Sequence, residues 1–252
     1  MIKSFLLAAQ FLTVIPIKIR GIDEKKIARS LVYFPLVGAI LGLILVAINT
    51  LLQAIYLPRL SVDIVILVAL IFLTGGMHLD GLSDTFDAFL SGKNKEEMLK
   101  IMRDSHCGVM GVLGLITVIL LKLAFLYSII GFLKPQALIL MCALSRWGMV
   151  FSIFLFPYAR QDGKAKAYIE GINVKVFIIS TIASLLLAFI VWQAMGVFIM
   201  LIIAICVFLM GKFIKRKIQG ITGDTLGATC EITEIIILIC VSIIQRGVLW
   251  KI

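Results

Sequence analysis

Charged residues are scarce in this chain of 252 residues, since only 15% are Asp, Glu, Lys or Arg. With 62% hydrophobic residues as well, the composition excludes an ordinary water-soluble domain and is typical of a helical membrane protein. The five cysteines show neither a CxxC pair nor Cys/His ligand spacing, which leaves them as small hydrophobic residues. No pattern typical of nucleic-acid binding is present, so we expect no nucleic-acid partner.

Long apolar runs dominate the chain instead, and each is long enough to cross a lipid bilayer as a helix of ~20 residues. They cover residues 31–55, 60–77, 109–131, 136–157, 174–194, 196–213 and 228–249. We therefore predict one all-α domain over residues 1–252, a polytopic integral membrane bundle of about seven transmembrane helices. Residues 1–17 resemble a signal peptide, but the basic cluster after them opposes export, which favours a retained interfacial or re-entrant helix.

Basic residues are distributed unevenly among the connections between these runs. Most of them fall in alternate connections, namely 18–29, 93–103, 160–175 and 212–217. Because positively charged loops remain in the cytoplasm, we expect these connections on the cytoplasmic side of the cell membrane. This orientation also accounts for most of the formal net charge of +10.

The segment 75–111 contains both histidines and half of the chain's aspartates. Asp80, Asp84 and Asp87 are spaced i, i+4, i+7, which places their side chains within about 60° on one face of a helix. Three such carboxylates repel one another unless they are protonated or bridged by a metal ion. Because oxygen ligands suit Mg²⁺ or Mn²⁺, the spacing predicts a metal site here.

Two further polar connections that contain glycine, 157–168 and 221–234, fall on the same predicted side of the membrane as segment 75–111. We therefore expect the three connections to assemble one active site on the cytoplasmic face.

Acidic residues continue from the last of these connections into the final span. Glu231 and Glu234 follow Asp224 and enter the apolar run, where a carboxylate needs a partner. Arg146 lies within another predicted span and is either their ion-pair partner or a ligand for a phosphate group.

Several motifs together resemble the cobalamin synthase family, whose members are adenosylcobinamide-GDP ribazoletransferases. The motifs are FPLVGAILG at 34–42, HLDGLSDTFDAF at 78–89, IMRDSHCGVMGVLGL at 101–115, LSRW at 144–147, PYAR at 157–160 and TGDTLGATCEITE at 222–234. The resemblance covers nearly the whole chain in the right order. It implies an integral membrane enzyme in which α-ribazole, or its 5′-phosphate, displaces GMP from adenosylcobinamide-GDP, with Mg²⁺ required.

That reaction suggests roles for the polar residues. The metal ligands that we expect are Asp80, Asp84, Asp87 and Asp104. The residues expected to act as a base are Asp84 or His106, with Asp224 as a further ligand or base. The side chains expected to hold phosphate or nucleotide oxygens are Arg103, Arg146, Arg160 and Lys164. Delivery of a polar corrinoid favours association with other enzymes of the pathway.

Two other functions fit parts of the same pattern. A CDP-alcohol phosphotransferase has similarly spaced aspartates, but its DGxxAR motif has no counterpart here, because Asp80-Gly81 is followed by Ser83-Asp84. A cation-coupled transporter would use acids within its spans as an ion path. No inverted repeat is visible and the acids cluster toward one face, so the pattern favours the enzyme.

Overall fold

The computed structural model describes residues 2–17, 24–163 and 165–249, and this part of the chain is mostly helical. The helices are α1 (Ile2–Leu12), α2 (Glu24–Ser30), α3 (Phe34–Ala54), α4 (Arg59–Thr74), α5 (Met77–Leu90), α6 (Lys95–Ile101), α7 (Val109–Ser128), α8 (Lys134–Leu155), α9 (Lys166–Gly171), α10 (Val174–Ile218) and α11 (Gly223–Leu249). No strand occurs within the described residues, which confirms the all-α prediction. Lys164, an expected phosphate ligand, lies outside the described residues.

The number of membrane spans that the sequence predicted is not confirmed. In the described part of the chain, five segments are long and apolar enough to cross a membrane: residues 26–54, α7, α8, α10 and the α11 region. The number becomes six if the bent pair of α4 and α5 forms one span, so about seven spans are not confirmed. The difference arises because α4 has only 16 residues and because α10 covers two of the predicted apolar runs.

α10 is bent back on itself near its middle. Its backbone leaves helical geometry at Trp192 (φ −150°, ψ 34°) and Gln193 (φ 46°, ψ −136°). A Cβ atom on Gly196 would clash with the backbone of Ala188, although residues eight apart in a straight helix are separated by ~12 Å along the axis. The chain therefore reverses at this break, and the two apolar runs predicted here correspond to the two halves of α10.

α4 and α5 meet at an angle of 89°. The bend occurs at Gly75 (φ 64°) and Gly76 (φ 66°), in the left-handed region that glycine enters without a steric penalty. α5 has 14 residues and is therefore ~21 Å long, which is too short for a hydrocarbon core of ~30 Å. α5 is therefore not a membrane-spanning segment by itself.

α8 lies at the centre of the bundle, and most of its residues from Ala137 to Ile153 are buried. α3 packs closely against it, since a Cβ atom on Gly42 would lie 2.6 Å from the Cα atom of Ile139. Small residues of this kind allow two helices to approach each other. α10 and α11 also pack on α8, which makes α8 the scaffold for the other long helices.

The N-terminal helix agrees with the expected non-spanning element. α1 has 11 residues, about half the length needed to cross a bilayer. Phe11 stacks on Phe34 with ring centroids 5.6 Å apart and also contacts Tyr168, so α1 is anchored to the bundle through its apolar face.

Candidate active site

α5 and α11 cross at two glycines. A Cβ atom on Gly81 would lie 2.8 Å from the carbonyl oxygen of Asp224, and one on Gly227 would lie 2.9 Å from the carbonyl oxygen of His78. A larger residue at either position would force the helices apart, because both contacts are with backbone atoms. The crossing places Asp224, at the start of α11, beside the aspartates of α5.

A cavity of about 1120 Å³ opens at this crossing. Its walls come from residues within 75–84 and 102–107, from Tyr158, Arg160 and Ala165, and from residues within 223–227. All three polar connections therefore line this cavity, and an active site on the cytoplasmic face stays a prediction. The apolar part of the lining includes Phe11, Leu115, Ile119 and Met149.

Three of the cavity-lining side chains are the carboxylates of Asp80, Asp84 and Asp224. Among the described residues, no hydrogen bond or ion pair engages the side chain of Asp80 or Asp84. Burial, followed by the charges of Asp80, Asp224 and Asp87, raises the pKa of Asp84 to about 7. The cavity therefore concentrates negative charge, which a bound cation would relieve.

Asp224 is paired with a cation of the protein itself. Arg160 Nη2 donates a hydrogen bond of 2.6 Å to Asp224 Oδ2, and the Thr222 hydroxyl donates to the same oxygen at 3.3 Å. The loop that carries Arg160 is held against the start of α11, since Ala159 N donates to Ile221 O at 2.9 Å. Arg160 is therefore held at the cavity wall, and its role as a phosphate ligand stays a prediction.

The loop between α6 and α7 forms another part of the wall. Arg103 lines the cavity and forms an exposed ion pair with Asp162. Asp104 also lines it, and the carboxylate accepts a hydrogen bond of 2.6 Å from the ring of His106. This contact lowers the pKa of Asp104 and raises the pKa of His106. His106 itself does not line the cavity and its side chain is 90% exposed.

Asp87 does not line the cavity with Asp80 and Asp84, although it lies on the same helix. Its carboxylate accepts hydrogen bonds from the backbone N–H groups of Gly108 and Gly111, at the start of α7. Its assignment as a metal ligand stays a prediction, and these contacts give the side chain another role.

A network of four buried charges lies deeper in the bundle. Lys122 Nζ donates to Glu231 Oε2 at 2.6 Å and also to Glu234, while Arg146 pairs with Glu234. None of the four side chains exposes more than 7% of its surface. The predicted pairing of Arg146 with a glutamate is confirmed, and Arg146 does not line the cavity with the other expected phosphate ligands.

Lys122 is the member of this network that the sequence prediction missed. A lysine in the middle of an apolar run is costly without a carboxylate partner. That signal was present in the sequence, because Glu231 and Glu234 enter the last span and also need partners.

The carboxylate oxygens in the cavity are the type of ligand that a hard divalent cation prefers. As the side chains stand, no group of three or more His, Cys, Asp or Glu residues within the described part of the chain encloses a metal position. Mg²⁺ usually takes one or two protein carboxylates and completes its shell with substrate phosphates and water. The unengaged carboxylates of Asp80 and Asp84 satisfy that requirement, with Asp224 on the facing helix.

Comparison with known proteins gives a consistent result over the whole chain. A family model described as Cobalamin-5-phosphate synthase matches residues 4–242. An adenosylcobinamide-GDP ribazoletransferase of Desulforamulus reducens is 38% identical over 236 residues, which cover 93% of this chain and 94% of the relative. Proteins of the same name from Thermodesulfovibrio yellowstonii and Clostridioides difficile are 37% and 34% identical, cover 95% and 94% of this chain, and match over 96% of their own length. No solved structure gives a significant match. The chain therefore belongs to the cobalamin-5-phosphate synthase family.

Proposed function

We propose that this protein is an adenosylcobinamide-GDP ribazoletransferase, which joins adenosylcobinamide-GDP to α-ribazole or its 5′-phosphate and releases GMP. The observation that carries the proposal is the cavity whose walls include Asp80, Asp84 and Asp224 together with Arg160. A diphosphate substrate brings negative charge, and its transfer requires cations positioned around the reacting phosphorus. The family match and the names of the relatives support the same reaction.

In the proposed reaction, a ribose hydroxyl oxygen of α-ribazole other than the 5′ one, which is therefore free in the 5′-phosphate as well, forms a bond to the phosphorus carried by the cobinamide. The bond from this phosphorus to the GMP oxygen breaks, and GMP leaves with the electron pair. The hydroxyl proton passes to a carboxylate, for which we propose Asp84, because it lines the cavity whereas His106 does not. We propose that Arg160 and Arg103, which both line the cavity, hold the phosphate oxygens of the substrate and of the departing GMP.

We propose Mg²⁺ as the cofactor, which the carboxylates of Asp80, Asp84 and Asp224 would hold. The bound ion would offset the charge of the diphosphate. Arg160 would also contact a phosphate oxygen of the substrate. Its guanidinium group carries several N–H donors, and its hydrogen bond to Asp224 uses only Nη2. Asp104 lies at the edge of the same cavity and would contribute an outer ligand.

We also propose that the protein is a multi-pass protein of the cell membrane, with the cavity open to the cytoplasm. The support comes from the basic residues near the cavity, since loops rich in Lys and Arg remain on the cytoplasmic side. In this orientation the cavity is accessible to soluble substrates and to other enzymes of the pathway. The bilayer then surrounds the long apolar helices.

The proposed function is tested by incubating the purified protein with adenosylcobinamide-GDP, α-ribazole and Mg²⁺ and by measuring GMP and the corrinoid product. We expect one GMP for each cobalamin formed, loss of both products when a chelator removes the metal ion, and recovery when Mg²⁺ is restored. A parallel reaction with CDP-diacylglycerol and an alcohol acceptor tests the phospholipid alternative. Release of CMP in that reaction, without GMP release in the first, would refute the proposal.

A further inference from the structure

Asp87 is bound at the start of α7 by two backbone N–H groups. Gly108 N donates to Asp87 Oδ2 at 2.7 Å, and Gly111 N donates to Asp87 Oδ1 at 2.8 Å. The first N–H groups of a helix have no acceptor within the helix, and a carboxylate there also interacts favourably with the helix dipole. Both carboxylate oxygens of Asp87 are therefore engaged by the beginning of α7.

The two glycines make room for this carboxylate. A Cβ atom on Gly108 or on Gly111 would clash with the Asp87 carboxyl group, and one on Gly111 would also meet Ser83. Ser83 lies one turn earlier on α5, and its hydroxyl oxygen is 3.0 Å from the sulfur of Cys107. The contact between α5 and the start of α7 is therefore a close fit along a full helical turn.

The same face of α5 carries the carboxylates of the cavity. Asp84 precedes Asp87 by three residues and Asp80 by seven, so an ordered Asp87 restrains the rotation of α5 about its axis. We infer that Asp87 is a positioning residue, whose carboxylate fixes α5 on the start of α7 and thereby sets the places of Asp80 and Asp84. The inference rests on the proposed function, and it replaces the metal-ligand role that the spacing suggested for Asp87.

A second contact connects α7 to the other helix of the site. Lys122, on α7, donates hydrogen bonds to Glu231 and Glu234 on α11. Asp224 lies in the first turn of the same helix. α7 is therefore tied to α5 through Asp87 and to α11 through Lys122. This arrangement holds Asp84 and Asp224 at a fixed separation, which matters because a misplacement of ~1 Å at a reacting centre can cost about 10²-fold in rate.

The test compares substitutions on both sides of the contact. Asp87→Asn keeps the shape of the side chain but replaces one carboxylate oxygen with an NH₂ group. This group cannot accept a hydrogen bond from a backbone N–H, so one of the two hydrogen bonds is lost. Gly111→Ala pushes against the same carboxylate without changing any ionisable group. Asp80→Asn removes a proposed ligand and serves as the comparison. Each protein is assayed for kcat, for KM of both substrates, for Mn²⁺ binding by electron paramagnetic resonance, and for thermal unfolding.

We expect Asp87→Asn and Gly111→Ala to lower kcat by about tenfold or more in fully folded protein, and to weaken Mn²⁺ binding alike but less than Asp80→Asn does, because both variants displace the proposed ligands without removing one. Mn²⁺ affinity reduced by Asp87→Asn as much as by Asp80→Asn, with Gly111→Ala unchanged, would show that Asp87 is a ligand. Native kcat in Asp87→Asn and Gly111→Ala, with only the melting temperature lowered, would show a role in stability alone. Either result overturns the inference.

The proposed function is judged separately in the same experiment. Turnover of adenosylcobinamide-GDP by the unsubstituted protein tests that function, whereas the comparison of Mn²⁺ binding between Asp87→Asn and Asp80→Asn requires no turnover. An inactive unsubstituted protein would refute the proposed function, and the Mn²⁺ comparison would still decide whether Asp87 is a ligand.

Discussion

The Cα atom of Gly81 lies 3.4 Å from the position that a Cβ atom on Gly227 would take. The two residues are far apart in the sequence, one on α5 and the other on α11, and their contact is the point at which the two helices cross. Because the backbones touch here, the carboxylates of Asp80, Asp84 and Asp224 line the same cavity. The geometry of the site thus depends on two residues that have no side chain.

Replacement of Gly81 by alanine should therefore reduce both activity and stability. The added methyl group would meet the backbone of Asp224 at 2.8 to 2.9 Å, and backbone atoms cannot move aside as a flexible side chain can. Overpacking of this kind typically costs about 1–3 kcal/mol. Gly131→Ala is the matched control, since nothing lies within 4 Å of its Cβ position. Melting temperature and GMP release measured for both variants check the prediction, which is wrong if they behave alike.

The carboxylates of Asp80 and Asp84 should be required for turnover but not for folding. The Asp80→Asn and Asp84→Asn substitutions keep the shape of the side chain and remove the charge that a metal ion and the reacting phosphate require. Loss of one charge-assisted contact to the transition state typically costs about 10²-fold or more in rate. GMP release should fall accordingly, with membrane insertion and melting temperature retained. Glu170→Gln, an exposed acid, is the control. Near-native turnover of both aspartate variants at saturating Mg²⁺ would contradict the prediction.

Sequence patterns predicted the parts of this molecule that depend on local periodicity. The apolar runs indicated the long helices, and the spacing of Asp80 and Asp84 indicated a shared helical face, which α5 provides. The pairing of Arg146 with a glutamate could also be predicted, because a buried charge needs a partner wherever it lies.

Other features depend on contacts that no local pattern encodes. The sequence placed a break between the runs 174–194 and 196–213, close to Trp192 and Gln193, but neither residue is glycine or proline and nothing local indicated that the chain reverses there. The role of Asp87 was hidden because its i+7 spacing from Asp80 is the spacing of a ligand set, whereas its acceptor contacts are with Gly108 and Gly111 on another helix.

The two ends of α8 should lie on opposite sides of the membrane. Gln161, which follows α8, is exposed near the cavity, and Phe132, which precedes α8, is 59% exposed. After replacement of the native cysteines, a cysteine at Phe132 should react with an impermeant thiol reagent added to intact cells. A cysteine at Gln161 should react only after the cells are permeabilised. Labelling of Gln161→Cys from outside would reverse the proposed orientation.

The protein should be more stable when its buried charges are removed in balanced pairs than when one charge is removed alone. Lys122→Met removes the cation that pairs with Glu231, and the loss of one partner of a buried pair typically costs about 3–5 kcal/mol. Adding Glu231→Gln removes the stranded charge and retains the contact between Arg146 and Glu234. The double variant should therefore melt at a higher temperature than Lys122→Met alone, and the same reasoning applies to Arg146→Met with Glu234→Gln.

A double-mutant cycle in thermal unfolding separates this pairing from a role in substrate binding. Coupling between residues in contact appears as a departure from additivity of about 0.5–3 kcal/mol. We expect such coupling within each of the two pairs, because each second substitution restores the balance of buried charge that the first disturbed. Additive losses in both cycles would contradict the pairing. In that case, a selective rise in KM for adenosylcobinamide-GDP in Arg146→Met would identify Arg146 as a phosphate ligand, the other role that the sequence allowed.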